Sequence, residues 1–193
     1  FVVVNVNPLY TPRELEHQLK DSGSKAIVII ENFASTLQSC IANTPVKHVV
    51  LCAMGDQLGF LKGMLVNYVV RNVKKLVPEY SLPGAVRFND AIAKGQRGTF
   101  KPVDIKPDDI ALLQYTGGTT GVSKGAVLLH RNVIANVLQA EAWNEPVMKS
   151  LPAGEQPTSI CALPLYHIFA FTVNMMLGMR TGGKVILIPN PRD

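Results

Sequence analysis

Residues 115–126 read Tyr115-Thr116-Gly117-Gly118-Thr119-Thr120-Gly121-Val122-Ser123-Lys124-Gly125-Ala126, a glycine- and hydroxyl-rich loop with one lysine near its end. Four glycines allow positive φ angles and a close approach by a ligand. They leave backbone N–H groups free to form a concavity that binds anions. The hydroxyl groups add hydrogen-bond donors, and Lys124 supplies a compact positive charge suited to phosphate. The stretch therefore predicts a site for a polyphosphate such as ATP.

The flanking sequence places this loop between two strands. Residues 110–114 (Ile-Ala-Leu-Leu-Gln) precede it and residues 126–129 (Ala-Val-Leu-Leu) follow it as short apolar runs. A plain hairpin turn is the alternative, because Gly, Thr and Ser are common in turns. A Walker loop needs a Gly-Lys pair followed by Ser or Thr and then a helix. Here Lys124 precedes Gly125 and a strand is expected next, which argues against an ordinary P-loop NTPase.

The loop resembles the phosphate-binding signature of the adenylate-forming superfamily, usually written Tyr-Thr-Ser-Gly-Thr-Thr-Gly-x-Pro-Lys-Gly. Gly117 and Ser123 depart from it, and both remain small residues. Residues 4–15 are similar to the strand-to-helix entry of bacterial long-chain fatty acid–CoA ligases. Residues 163–170 (Leu-Pro-Leu-Tyr-His-Ile-Phe-Ala) resemble their acyl-pocket segment, and residues 190–193 (Asn-Pro-Arg-Asp) also suit that group. The resemblance implies that residues 1–193 are a partial N-terminal AMP-binding domain, with the remainder of that domain and the C-terminal domain absent.

The resemblance implies a two-step ligation. A fatty carboxylate attacks the α-phosphate of ATP, and the thiol of coenzyme A then displaces AMP from the acyl-adenylate. Lys124 and His167 are the implied catalytic residues, His167 and Phe171 the implied fatty acid contacts, and Thr116 the implied Mg²⁺ ligand. The implied ATP-binding residues are Tyr115, Thr116, Gly117, Gly118, Thr119, Thr120, Gly121, Val122, Ser123, Lys124, Gly125 and Ala126. Tyr115 either packs near the nucleotide or simply ends its strand.

The sequence is also compatible with two other functions. One is an amino-acid or aryl-acid adenylating domain, which would differ in the depth of the acyl pocket. The other is a noncatalytic module that binds nucleotide or a membrane surface. The 193-residue chain by itself is expected to be inactive.

The pattern of apolar runs predicts an α/β fold with layered, parallel-rich sheets flanked by helices. Thr11-Pro12-Arg13-Glu14 predicts a capping box at a helix start, since Glu stands three residues after the Thr cap. Strands are expected over residues 1–6, 26–30, 46–52, 159–163 and 184–188. Helices are expected over residues 33–42, 58–77, 131–143 and 168–179, with a short one near 89–93 and loops over 78–107 and 145–157.

The predicted helix over residues 58–77 carries Lys62, Arg71, Lys74 and Lys75 without a nearby acid in the sequence. A solvated outer face explains such a run. The alternative is a contact with an anionic membrane surface that helps to recruit a lipid substrate. This second interpretation predicts peripheral attachment at the inner face of the membrane.

The composition narrows the class of protein. A net charge of +5 accompanies no nucleic-acid-binding motif, so a phosphate-rich small substrate such as ATP or coenzyme A is the simpler partner. The resemblance to the fatty acid–CoA ligases adds a fatty acid as the third predicted partner. Three widely spaced cysteines indicate neither a disulfide framework nor a zinc site, and they favour a cytoplasmic protein. The apolar run over residues 168–179 is too short for a membrane span of about 20 residues. A homodimer is left open.

Overall fold

The computed structural model of the chain describes residues 1–116, 122–152 and 154–188. Its strands are β1 (Val3–Asn5), β2 (Ala26–Ile30), β3 (His48–Cys52), β4 (Val86–Arg87), β5 (Ile110–Thr116), β6 (Lys124–Leu129), β7 (Thr158–Cys161) and β8 (Lys184–Leu187). Its α-helices are α1 (Pro12–Asp21), α2 (Ala34–Gln38), α3 (Phe60–Tyr68), α4 (Phe88–Gln96), α5 (His130–Ser150) and α6 (Leu177–Thr181). The predicted α/β class is confirmed.

The chain divides into two compact units. The first comprises Phe1–Val6 and Asp104–Asp193. In it β5 lies between β1, which is parallel to it, and β6, which is antiparallel. β7 and β8 form a separate parallel pair, and the connection between them contains α6. α5 packs against this connection. The first unit thus presents the β5–β6 hairpin and a β-α-β crossover.

The second unit, Asn7–Val103, is a parallel sheet in the order β2-β3-β4 with four helices. α1 starts at the predicted capping box: the Glu14 N–H donates to the Thr11 hydroxyl, and the Thr11 N–H donates to Glu14 Oε2 at 2.8 Å. Leu15, Leu19 and Leu37 fill the core with at most 3% of their surface exposed. The parallel strands with helices between them agree with the predicted parallel-rich α/β fold.

Helix α3 lies backbone against backbone on the turn at Gly55. A Cβ atom added to Gly63 would stand 2.4 Å from the Gly55 carbonyl oxygen. The Gly55 N–H also donates to Asn67 Oδ1 at 2.7 Å. These contacts fix which side of α3 faces the unit. The other side carries large apolar residues that remain exposed: Phe60, Leu61, Met64, Leu65 and Tyr68.

Several predicted helices have different limits. The helix expected over residues 58–77 leaves regular α geometry after Tyr68 and ends with π-helical turns over Val69–Val73. The segment expected as one helix over residues 33–42 consists of α2 between two 3₁₀ turns, Glu31–Phe33 and Ile41–Asn43. Ser39 donates its hydroxyl back to the Ser35 carbonyl at 2.9 Å, a local bond that competes with helix continuation.

The prediction of a loop over residues 145–157 was wrong for residues 145–150, which are helical. α5 continues through Pro146 to Ser150. An ion pair of 2.8 Å between Lys149 and Glu145 spans this added turn, and the helix stops where Pro152 makes Leu151 extended. Of the helices in the described ranges, none has the length and apolar character needed to cross a membrane.

Candidate functional site

The β5–β6 hairpin holds the two ends of the glycine-rich loop. Thr116 pairs with Lys124 across the hairpin, and Tyr115 pairs with Gly125. The Ser123 hydroxyl donates to the Thr116 carbonyl at 3.1 Å and closes the base of the loop. Directly paired antiparallel residues have Cβ atoms about 4.5–5.5 Å apart on one face of the sheet. The hydroxyl-bearing Thr116 and the cationic Lys124 are thus neighbours, and both are exposed.

Tyr115 and Gly125 form a packed pair beneath the loop. Tyr115 is buried, and its ring lies so close to Gly125 that a Cβ atom there would stand 2.9 Å from two ring carbons. Glycine at this position therefore makes room for the ring. β5 continues past Tyr115 to Thr116, so Tyr115 does not end its strand.

Other predicted ATP-binding residues differ in how far the structure describes them. Val122 and Ala126 are exposed, and Ser123 is half-buried. The residues Gly117, Gly118, Thr119, Thr120 and Gly121 lie outside the described residues, as does the segment 190–193. Their predicted roles rest on the sequence.

His167 ends a turn that begins at Pro164. The His167 N–H donates to the Pro164 carbonyl at 2.9 Å. The Phe169 N–H donates to His167 Nδ1 at 3.3 Å, so Nδ1 is the acceptor and a neutral ring carries its proton on Nε2. The imidazole is exposed. This arrangement caps the following helical segment with one ring nitrogen and offers the other as a donor.

Phe171 lies on the helical segment that follows His167. Its N–H donates to the His167 carbonyl at 2.9 Å, and its side chain is half-buried. The segment was predicted as a regular helix, but Ala170–Met176 adopts π-helical turns before α6 begins. Single π-helical turns occur frequently at functional sites. No feature of the apolar pattern predicted these π-helical turns.

Gln114 joins the hairpin to the His167 turn, a contact that the sequence pattern did not predict. Its side chain is buried on β5, and its Nε2 donates to the Tyr166 carbonyl at 3.2 Å. Successive strand residues point to opposite faces, so Gln114 lies on the same face as Thr116. The His167 turn and Thr116 are therefore on one face of the sheet. A polar residue inside an apolar strand run was the available signal.

Within the residues that the structure describes, no group of three or more His, Cys, Asp or Glu side chains is placed to hold a metal ion. The Thr116 hydroxyl is an oxygen donor of the kind that Mg²⁺ accepts. A single hydroxyl does not make a metal site, so further oxygen ligands have to come from substrate phosphates, water or other residues.

Comparison with known proteins identifies the family. The model of a family described as AMP-binding enzyme matches residues 1–193. Long-chain-fatty-acid–CoA ligases of Escherichia coli O157:H7 and of Haemophilus influenzae are each 55% identical to the chain over 192 residues. These matches cover 100% of the chain but only 34% of either relative. The chain therefore spans about one third of their length.

More distant relatives share the fold. A 4-coumarate–CoA ligase 2 of Oryza sativa subsp. japonica is 31% identical over 188 residues, which are 97% of the chain and 30% of that protein. The crystal structure of an anthranilate CoA ligase in complex with anthranoyl-AMP matches with a TM-score of 0.70 at 23% identity. That match covers 98% of the chain and 30% of the solved structure. With the family model matching throughout, the chain belongs to the AMP-binding enzyme family.

Proposed function

We propose that the full-length protein containing this chain is an ATP-dependent long-chain fatty acid–CoA ligase, and that residues 1–193 are part of its N-terminal AMP-binding domain. A fatty carboxylate oxygen bonds to the α-phosphorus of ATP and pyrophosphate leaves. The thiol of coenzyme A then attacks the acyl carbon, giving the thioester and AMP. The 55% identity to two bacterial long-chain-fatty-acid–CoA ligases supports this substrate class over others.

One structural observation supports the proposal most directly. The Gln114 amide donates to the carbonyl that precedes His167, which brings the His167 turn to the face of β5 that carries Thr116. Gln114 and Tyr166 are 52 positions apart in the sequence, and their hydrogen bond holds the predicted phosphate-binding segment next to the predicted acyl-binding segment. An adenylation step needs such a meeting because its two substrates must be held together.

Each residue has a defined task in this proposal. Lys124 and the loop amides stabilise the negative charge that develops on the phosphate oxygens during transfer. Mg²⁺, when bound, neutralises phosphate charge, and the Thr116 hydroxyl is the described oxygen that would help to hold it. The His167 Nε2–H donates to the fatty carboxylate and orients it. Phe171, one helical turn beyond His167, borders the acyl chain.

The test is pyrophosphate exchange into ATP by the full-length protein, measured across fatty acids of increasing length. Benzoate-type aryl acids and amino acids form the competing substrate arms. Lys124→Ala and Thr116→Ala are compared with Lys184→Ala and Thr158→Ala, which remove the same groups from exposed positions on β7 and β8. We expect exchange with long-chain acids and a loss of about 100-fold or more in Lys124→Ala. Exchange only with aryl acids or amino acids, or full activity of Lys124→Ala, would refute the proposal.

A second proposal concerns the membrane. We infer that the exposed side of α3 contacts an anionic lipid surface at the inner face of the membrane. Phe60 and Leu61 expose 83% and 73% of their surface. Lys62 on α3 is exposed, as are Lys74 and Lys75, which follow its π-helical turns in the sequence. Apolar residues flanked by lysines are typical of a helix that lies in the lipid interface.

Arg71 does not belong to this surface, which corrects the prediction of four basic residues without an acid. Arg71 Nε lies 2.7 Å from Glu31 Oε1, and its Nη2 lies 2.9 Å from Glu31 Oε2. The partner stands 40 positions earlier in the sequence, so the charges of neighbouring residues do not reveal it. The lipid-facing charge is reduced to the three lysines.

The membrane proposal is tested on the full-length protein with phosphatidylglycerol-containing vesicles. Replacing Lys62, Lys74 and Lys75 with Gln should weaken binding about 100-fold, at about 1 kcal/mol for each lysine. The matched control replaces the exposed residues Lys25, Lys47 and Lys94 with Gln and changes the net charge equally. Equal binding by both triple variants would contradict the proposal. A dimer that dissociates in Leu61→Gln would instead assign the face to a second copy of the chain.

A further inference from the structure

Gln114 is a buried amide in an otherwise apolar stretch of β5. It exposes 7% of its surface, and Leu112 on the same face of the strand exposes 2%. Burying an amide is costly unless its hydrogen bonds are made. An apolar residue would fill such a position without that requirement. We therefore expect the amide to be present for the hydrogen bonds that it makes.

The partners of Gln114 come from three segments of the chain. Asn5 Nδ2 on β1 donates to Gln114 Oε1 at 3.2 Å, and the two residues are also paired in the sheet. Gln114 Nε2 donates to the Tyr166 carbonyl at 3.2 Å and, more weakly, to the Tyr115 carbonyl at 3.4 Å. One planar group thus connects the neighbouring strand, the base of the glycine-rich loop and the His167 turn.

These bonds determine where the next residue in each segment stands. Tyr166 directly precedes His167, whose ring is held by the Phe169 N–H at 3.3 Å. Tyr115 directly precedes Thr116, which pairs with Lys124. A shift of the Tyr166 carbonyl would move His167 relative to Thr116 and Lys124 without altering the hairpin itself.

We propose that Gln114 is a positioning residue that sets the separation between the His167 turn and the phosphate-binding hairpin. This rests on the proposed function, in which His167 orients the fatty carboxylate and the hairpin binds ATP. Small misplacements of reacting groups reduce rates strongly, because the attacking oxygen must lie close to the atom it attacks. Loss of the Gln114 amide should therefore affect use of the fatty acid more than binding of ATP.

The experiment compares Gln114→Leu and Gln114→Glu in the full-length protein with the control Gln18→Leu. Gln18 is also buried, at 1% exposure, but lies on α1 in the other unit. The measurements are the KM values for ATP and fatty acid, kcat for pyrophosphate exchange, and hydrogen exchange of the backbone over residues 162–171. The last measurement does not depend on activity.

For Gln114→Leu we expect the KM for the fatty acid to rise or kcat to fall by about tenfold. This is the size of effect that corresponds to the free energy of one buried hydrogen bond. The KM for ATP should stay within about twofold, and hydrogen exchange over residues 162–171 should become faster. Gln18→Leu should change neither these kinetic constants nor the hydrogen exchange over residues 162–171. Gln114→Glu provides a rescue, because a protonated carboxyl donates to the Tyr166 carbonyl as the amide does and a carboxylate does not.

Burial raises the pKa of a carboxyl at position 114, so the activity of Gln114→Glu relative to wild type should increase as the pH falls from about 8 to about 6. The positioning role is overturned if hydrogen exchange over residues 162–171 is unchanged in Gln114→Leu. It is also overturned if both KM values rise equally or if Gln18→Leu has the same effect. A wild-type protein without fatty acid-dependent exchange overturns the proposed function, whatever the hydrogen exchange shows.

Discussion

Replacing Glu31 with Gln tests what holds the second unit together. Glu31 directly follows β2, is 1% exposed, and accepts two hydrogen bonds from Arg71 at 2.7 and 2.9 Å. Arg87 Nη1, at the end of β4, donates a third at 3.0 Å. One carboxylate therefore connects the ends of two strands with the π-helical turns that follow α3. A glutamine side chain in its place is not an equivalent partner, since an amide has one acceptor oxygen and faces the guanidinium groups with donors.

The magnitude follows from the burial of each partner. Removing one member of a fully buried ion pair costs about 3–5 kcal/mol, because the other charge remains without compensation. Here the side chains of Arg71 and Arg87 are 40% and 51% exposed, so water compensates them in part. We therefore expect a loss of about 2–3 kcal/mol from the charge-assisted bonds. The hydrogen bonds to Glu31 raise the pKa of Arg71, so the cluster favours the charged form of this guanidinium.

The assay is native-state hydrogen exchange of β2 and β3 in the full-length protein. A loss of about 2–3 kcal/mol in the free energy of opening accelerates exchange by about 30- to 150-fold. Glu16→Gln is the matched control, because Glu16 bonds Lys20 and Asn43 at the surface, and we expect little change. Arg71→Met combined with Glu31→Gln should cost less than the sum of the two single variants, since both remove the same contact. Exchange no faster than in Glu16→Gln would show that the ion cluster does not stabilise this sheet.

Three further predictions concern local structure. Gly63→Ala should destabilise the second unit by about 1–3 kcal/mol or more, since its Cβ would meet a backbone carbonyl at 2.4 Å; a lowered thermal unfolding midpoint checks this, and an unchanged one contradicts it. Gly125→Ala should displace the Tyr115 ring at a similar cost of about 1–3 kcal/mol, measured by thermal unfolding with and without ATP. Hydrogen bonds from the Thr11 N–H and hydroxyl lower the pKa of Glu14 below its usual 4.5. The contribution of Glu14 to stability is therefore present above about pH 4.5 and is lost as the pH falls through the lowered pKa. Glu14→Gln should reduce the loss of stability at acid pH, measured by circular dichroism. An acid dependence equal to that of the wild type would contradict this prediction.

The sequence predicted those elements whose determinants are local. The capping box at Thr11 lies within four residues, and it starts α1 as expected. The apolar run over residues 26–30 is a strand with the same limits in the structure. Both strands that flank the glycine-rich loop were also predicted, because turn residues separate two apolar runs there. Nothing beyond neighbouring residues was needed in these cases.

Prediction was wrong where a distant or competing contact decides the outcome. The helix predicted over residues 131–143 was followed by a predicted loop, yet α5 continues through Pro146 to Ser150 with the Lys149–Glu145 ion pair across its last turn. Arg71 was interpreted as an unpaired cation because Glu31 is distant in sequence. Local spacing carries no information about the Arg71–Glu31 pair, since its two segments come together only on folding.

The candidate site shows the same division between local and distant information. Its two halves have sequence patterns of their own, the glycine-rich loop and the turn at His167, because each is built from neighbouring residues. The connection between them is one side chain, Gln114, with hydrogen-bond partners 109 and 52 positions away. A buried amide at a strand position that shares its face with Leu112 violates the apolar pattern, and such a violation is tolerated when the amide bonds are made. Polar residues at buried strand positions next to a recognised motif are therefore the places to search for the contacts that join separate halves of a site.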